Sequence, residues 1–286
     1  MLEHLADKNI ALDLVRVTEA AALSAARLIG KGEPESVNRA AVDAMRIAFQ
    51  GLHIQGTVVV SEGDKHNYPK LNAGETLGFG DGPEVDVAID PVDGTSCVAT
   101  GRHNAISAVG LAERGTMFNP GRSFYCNKII VGKEAASVID IEAPVRDNLN
   151  KIARALGKPV SEVTVFVLDR PRNERVIRDI RLAGARLLIH NEGDIAGAIL
   201  AVDPLTTVDV VLGVGGTAES VVTACAIKGS GGQMQIKFAP QSESELHNLQ
   251  EDGTDMNAVL SCDDLIRTEN CFFSATGITE DRKSVV

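Results

Sequence analysis

Few folds suit a chain that alternates short β-branched runs with helix-periodic segments, and that alternation governs the second half of this sequence. Strand-like runs at 163–168, 186–189 and 208–212 are interleaved with helical patterns at 174–183, 194–202 and 219–228, and 233–238 alternates again. The expected class is α/β. The first half opens with helical spacing over 10–29, carried by Leu12, Val15, Ala22, Ala26 and Ile29, and closed by Gly30, Gly32 and Pro34. A second helix is predicted over 37–49, with Ala41, Met45 and Ala48 on one face. A β-run at 57–61 leads to Glu62 and Gly63, a Gly-, Pro- and Asn-rich loop spans 64–82, and an alternating strand at 85–89 ends on Asp90. Residues 105–112 read as a further strand. A boundary near Gly157-Lys158-Pro159 separates an expected unit 1–157 from 158–286, and the polar stretch 241–255 reads as a surface loop.

Composition narrows the function classes. Aromatic residues make up 3% of the 286-residue chain and Trp is absent, so the core has to be aliphatic. A net charge of −11 argues against nucleic acid, whose partners present a basic face. The five cysteines are odd in number and form no CxxC pair, which fits reduced thiols in a cytoplasmic protein better than a disulfide framework or a zinc site. No signal peptide and no apolar run of membrane-spanning length is evident.

The segment Asp90-Pro91-Val92-Asp93-Gly94-Thr95 stands where an apolar strand stops. Pro91 holds Asp90 extended, and Gly94 permits a turn that brings both carboxylates to one side. Strand-end carboxylates are the oxygen ligands that hard divalent cations take. An Asp-Pro turn followed by an Asp-Gly turn would leave the same residues. Glu62 also ends a β-run before a glycine, and Glu219 opens a helix after Gly213-Val214-Gly215-Gly216-Thr217. Any one of these acids alone would read as a solvated carboxylate or a helix cap; together they favour a metal cluster. Cys97 has no histidine near it in sequence and reads as a small buried thiol. The glycines of 213–216 read as a loop leading into the helix that Glu219 opens, but one that lacks both a P-loop lysine and a full dinucleotide fingerprint.

These motifs resemble those of the lithium-sensitive phosphatase superfamily, and most closely the class II fructose-1,6-bisphosphatases. The similar stretches include 17–21, 40–46, 56–63, 82–95, 128–132, Arg170-Pro171-Arg172, Gly193-Asp194, 213–221 and 272–279. The resemblance implies a layered α-β-α-β-α sandwich and hydrolysis of the 1-phosphate of fructose 1,6-bisphosphate, with sedoheptulose 1,7-bisphosphate as a further substrate. It implies Mg²⁺ or Mn²⁺ held by Glu62, Asp90, Asp93 and Glu219, with Asn38 in the metal region. Thr95 and Asp90 are the implied catalytic residues, together with His66. Asp93, Gly94, Thr95, Tyr125, Arg170, Arg172, Glu192, Asp194 and Glu219 are the implied substrate-binding positions. A homo-oligomer, dimer or tetramer, is the implied assembly. The family extends some tens of residues beyond the position matching Val286, so the resemblance also implies a chain shortened at that end.

Several positions depart from the family pattern. Asp93 replaces a usual Glu, Arg170 a usual Lys, and Glu192 a usual Asp. Asn38 replaces an aspartate, Pro34 a phosphate-contacting lysine, and His66 an aspartate that accepts a proton through the threonine. A histidine at 66 can serve as a base near neutral pH, or stand as an ordinary surface residue. Two further readings therefore accompany the first: a non-catalytic paralogue that binds a sugar phosphate, and a phosphatase acting on a different small phosphomonoester.

Overall fold

The structure, a computed structural model, describes residues 3–61 and 71–279. In chain order it forms α1 (Glu3–Ala26), α2 (Pro34–Phe49), β1 (Gln55–Val60), β2 (Thr76–Leu77), β3 (Glu84–Asp93), α3 (Thr95–Thr100) and β4 (Ile106–Glu113). These are followed by β5 (Tyr125–Val131), α4 (Val145–Ala155), β6 (Thr164–Leu168), α5 (Glu174–Ala183), β7 (Arg186–His190), α6 (Asp194–Val202) and β8 (Val210–Gly216). The chain ends through α7 (Thr217–Gly229), β9 (Gln233–Phe238), α8 (Glu243–Glu251), β10 (Leu260–Ser261), α9 (Cys262–Leu265) and β11 (Cys271–Gly277). The class is α/β, as the sequence predicts. No described helix is long and apolar enough to cross a membrane, and the five cysteines are thiols.

The chain divides into two units, Met1–Asn119 with Ile266–Val286, and Pro120–Leu265. Strand pairing explains why this differs from a single boundary near residue 157. β5 already belongs to the second unit's sheet, where it pairs with β8 and β9. β11 returns to the first unit and pairs with β4 over seven residues, from Cys271 opposite Ala112 to Gly277 opposite Ile106. The Thr18 hydroxyl of α1 lies 2.9 Å from both the Ser274 and Thr276 hydroxyls, tying that returning strand to the first helix.

The first unit's sheet has the order β11-β4-β3-β1-β2. Leu14, Val17 and Ala21 of α1 and Met45 and Phe49 of α2 pack with Val87 and Ile89 of β3. Leu12, expected on the buried face of α1, is 64% exposed. Apolar residues occupy 10–12, 14, 15 and 17, so more than one stripe is available and packing selects the one through Leu14. Pro34 occupies the start of α2, where a missing N–H costs nothing. β3 continues past Asp90 to Asp93. Asp90 lies opposite Ala108 and Asp93 opposite Ile106, so three steps on β3 match two on β4. This bulge accommodates Pro91, which has no N–H for the ladder.

The second unit's sheet has the order β10-β9-β5-β8-β6-β7, with β6 parallel to both β7 and β8. Ile129, Val165 and Leu212 of the sheet pack with Leu149 and Ile152 of α4 and Ile180 of α5. Two sequence expectations are corrected here. The glycines 213–216 are strand, not loop: β8 runs to Gly216 and α7 begins at Thr217. The stretch 241–255 contains α8, whose N-terminus is capped by the Ser242 hydroxyl accepting the Glu245 N–H at 3.1 Å. Its polar sequence hides the periodicity, since only Glu245 and Leu249 of the helix are buried.

Candidate active site

In the first unit the candidate residues sit where β3 ends. Asp90 and Asp93 are 2% and 7% exposed, buried because β3 is covered on both faces. The Val92 N–H donates to Asp90 Oδ1 at 3.1 Å, which fixes that carboxylate in an Asx turn. Gly94 follows with φ 96°, a left-handed backbone that favours glycine, and a side chain there would bring its Cβ into a tight 3.2 Å contact with Ala105 Cα. The turn delivers Thr95, half-buried, whose hydroxyl donates to the Val92 carbonyl at 3.1 Å. With its proton committed, that hydroxyl offers only lone pairs to a visiting group. Asn38, 1% exposed, lies on the buried face of α2 in the same unit.

The donors at this strand end, two carboxylates and a main-chain carbonyl, are all oxygen. Such a set fits a hard divalent cation and not a thiophilic one. Glu62 and His66 lie outside the described residues. Among the described residues, no three His, Cys, Asp or Glu side chains form a group that could hold a metal ion.

In the second unit β8 and α7 meet without a loop, and the two glycines at the junction make room for acids. A Cβ on Gly216 would sit 1.7 Å from Glu219 Oε2, and one on Gly215 would sit 2.1 Å from Asp194 Oδ2. Both carboxylates therefore lie directly against the strand backbone. Asp194 Oδ2 accepts from Lys128 Nζ at 2.7 Å and from the Gly216 N–H at 3.1 Å, while Lys128 also donates to the Gly216 carbonyl at 3.2 Å. Burial alone would pull the Lys128 ammonium down. The charge of Asp194, with a smaller contribution from Glu219, outweighs it and leaves the pKa above the ordinary lysine value. Burial pushes the neighbouring Cys126 thiol up, so it is protonated and no nucleophile.

Alongside this network stand the basic residues of the Arg170-Pro171-Arg172 turn. The Arg172 guanidinium lies 4.6 Å from the centre of the Tyr125 ring, and its Nε donates to the Val214 carbonyl at 3.1 Å. Asn173 braces the same strand, accepting the Val214 N–H at 2.7 Å and donating to the Leu168 carbonyl at 3.0 Å. Arg170 pairs with Glu192 at 3.3 Å.

The structure thus joins Asp90, Asp93, Gly94 and Thr95 at one turn. In the second unit it joins Tyr125 to Arg172, Arg170 to Glu192, and Asp194 to the backbone beside Glu219. Asp194, expected to meet substrate, has one carboxylate oxygen committed to Lys128 and Gly216 and is 8% exposed. Lys128 and Asn173 were not among the candidates. A lysine beside the apolar run Ile129-Ile130-Val131 is itself a signal, because a buried ammonium demands an acidic partner.

An α/β fold with strand-end carboxylates in one unit and a braced arginine–tyrosine pair in the other has the makings of an enzyme handling phosphorylated small molecules. The sequence pattern of the family described as bacterial fructose-1,6-bisphosphatase, glpX-encoded, matches residues 8–282. The class 2 fructose-1,6-bisphosphatase of Haemophilus influenzae is 38% identical, over 96% of this chain and 86% of its own length. The fructose-1,6-bisphosphatase 1 class 2 of Escherichia coli K12 is 37% identical, over 96% of this chain and 85% of its own. The chain belongs to the glpX-type bacterial fructose-1,6-bisphosphatase family.

Proposed function

We propose that this chain is a divalent-metal-dependent phosphatase that releases the 1-phosphate of fructose 1,6-bisphosphate, acting in the cytoplasm as a homo-oligomer. Family membership supports the reaction, and the end of β3 is the single observation that carries the chemistry. Sedoheptulose 1,7-bisphosphate belongs to the same substrate class.

Phosphate-monoester hydrolysis is extremely slow uncatalysed, because water has to approach an anionic phosphorus. The residues proposed to hold Mg²⁺ or Mn²⁺ are Asp90 and Asp93 at the end of β3 and, from the family resemblance alone, Glu219. Glu62 is proposed with them, and Asn38 as a neutral neighbour. When bound, such cations supply charge stabilisation to the phosphoryl oxygens and a more acidic water. Thr95, with its proton donated to Val92, accepts a hydrogen bond from the attacking water and aligns it. Arg170 and Arg172 hold the phosphate that is not cleaved through charge-assisted hydrogen bonds, and Tyr125 keeps Arg172 in place. Lys128 and Asp194 hold the Gly216 backbone against which the Glu219 carboxylate lies.

Phosphate release from fructose 1,6-bisphosphate with Mg²⁺ or Mn²⁺ tests the reading, together with Asp90→Asn. The expected result is metal-dependent release that Asp90→Asn reduces by at least about 10²-fold. Wild-type rates in Asp90→Asn overturn the assignment. Inertness toward a panel of sugar, inositol and nucleotide phosphates, with metal binding retained, favours the non-catalytic paralogue that the residues at Pro34, Asn38 and His66 make worth testing.

A further inference from the structure

The mechanism leaves unused a buried carboxylate with two of its three hydrogen bonds directed toward the proposed substrate grip. Glu245 of α8 is 1% exposed. Its Oε1 accepts the Phe124 N–H at 2.7 Å and the Tyr125 N–H at 2.9 Å, and its Oε2 accepts the Gln241 N–H at 2.9 Å. Among the described residues no lysine, arginine or histidine side chain pairs with it, so backbone N–H groups and the first turn of α8 balance its charge. The sequence Ser242-Glu243-Ser244-Glu245 has the form of a capping box, in which the fourth residue reaches back to its own helix start. Here that carboxylate reaches across to β5 as well.

What it grips matters for the site. Tyr125 carries the ring beneath Arg172, and its Cα lies opposite Gly216 in the β5–β8 ladder. The Phe124 carbonyl accepts the Thr217 N–H at 3.1 Å, and the Ser123 and Thr217 hydroxyls are 2.8 Å apart. Three consecutive residues, 123–125, therefore hold both the Tyr125–Arg172 pair and the first turn of α7, which bears Glu219. Glu245 holds those residues.

We infer that Glu245 is a positioning residue: by clamping the Phe124 and Tyr125 backbone it sets the Tyr125–Arg172 pair and the α7 start for sugar-phosphate binding. This rests on the functional reading above. The test compares Glu245→Gln and Glu245→Ala with a control, Asp86→Asn. Asp86 is a buried carboxylate of the first unit that likewise accepts backbone N–H groups, from Gly115 and Met117. All three substitutions are expected to lower thermal stability. Glu245→Gln is expected to raise KM for fructose 1,6-bisphosphate about fivefold and Glu245→Ala by more than about tenfold, as expected for weakened and lost hydrogen bonds to the clamp. Asp86→Asn is expected to leave KM within about twofold. Backbone hydrogen exchange at Phe124, Tyr125 and Thr217, read on the same proteins without substrate, is expected to quicken in the Glu245 variants and not in Asp86→Asn. An unchanged KM in Glu245→Gln, an equal KM rise in Asp86→Asn, or unchanged exchange at those amides each overturns the inference. Should Glu245→Ala not fold, Glu245→Gln carries the comparison. Inertness of the wild-type protein toward fructose 1,6-bisphosphate would instead sink the functional reading, and the exchange experiment would then decide the clamp alone.

Discussion

Lys128 Nζ lies 2.7 Å from Asp194 Oδ2, with both side chains almost wholly removed from water and the Gly216 peptide hydrogen-bonded to each. The pair comes from different elements, a central strand and a helix start, and meets beneath the junction from which Glu219 projects. Losing one partner leaves the other charge buried and unmatched, which costs about 3–5 kcal/mol. Lys128→Met is therefore expected to lower unfolding stability by that order in a denaturant titration. The double variant Lys128→Met/Asp194→Asn should recover a substantial part, because the remaining amide oxygen still accepts the Gly216 N–H. A double variant no more stable than Lys128→Met would show that the two side chains are not coupled.

Gly216 separates folding from catalysis. Its φ of −74° suits any residue, so alanine strains no backbone there. An added methyl would nevertheless sit 1.7 Å from Glu219 Oε2 and has to push that carboxylate aside. The displaced group is the end of a flexible side chain, so the fold tolerates the move while a misplaced ligand does not serve the reaction. Gly216→Ala is expected to keep its thermal midpoint within a few degrees and to lose about 10²-fold in kcat/KM. Wild-type activity in this variant would remove Glu219 from the machinery.

How much of this was legible beforehand depends on range. Asp90 and Asp93 could be found because strand alternation, a proline and a glycine surround them within six residues, all acting locally. The helices at 174–183 and 194–202 were read to the residue for the same reason. The register shift between Asp90 and Asp93 could not be read, since it exists only relative to β4. Nor could the return of β11 to the first sheet, a pairing that joins residues about 160 positions apart. The apolar run beside Lys128 signals a buried ammonium, but the partners of Lys128 and Glu245 carry no local signal, lying 66 residues away for Lys128 and about 120 for Glu245. By composition the glycines of 213–216 suggest a loop, whereas Gly215 and Gly216 lie in a strand and admit Asp194 and Glu219 against it.

His190, at the end of β7, stacks on Phe166 with ring centres 5.0 Å apart and is half-buried. Burial holds its pKa below the ordinary histidine value of 6.5, so the unfolded chain binds the proton more readily than the folded one. Stability from this group is complete above that ordinary value and declines as pH falls through it toward the lower folded value. Thermal midpoints measured from pH 8 down to about pH 5 should fall more steeply in the wild type than in His190→Asn, which has no proton to gain. Parallel curves would assign the acid sensitivity to other groups.

Arg172 performs two tasks that a lysine cannot combine. Its planar guanidinium lies over the Tyr125 ring while Nε donates to the Val214 carbonyl, which leaves the two terminal nitrogens as a fixed fork. That fork suits a phosphate that is held throughout the reaction and not broken. A lysine keeps the charge but loses the fork, the stacking plane and the tether to Val214. Removing a two-point charge-assisted contact of this kind costs about 1.5–3 kcal/mol. Arg172→Lys is accordingly expected to raise KM for fructose 1,6-bisphosphate by about tenfold or more while kcat at saturation changes by less than about threefold. The same substitution should scarcely alter turnover of a monophosphate that has no second phosphate to grip. A rise in KM of equal size for mono- and bisphosphate would place Arg172 at the cleaved end of the substrate instead.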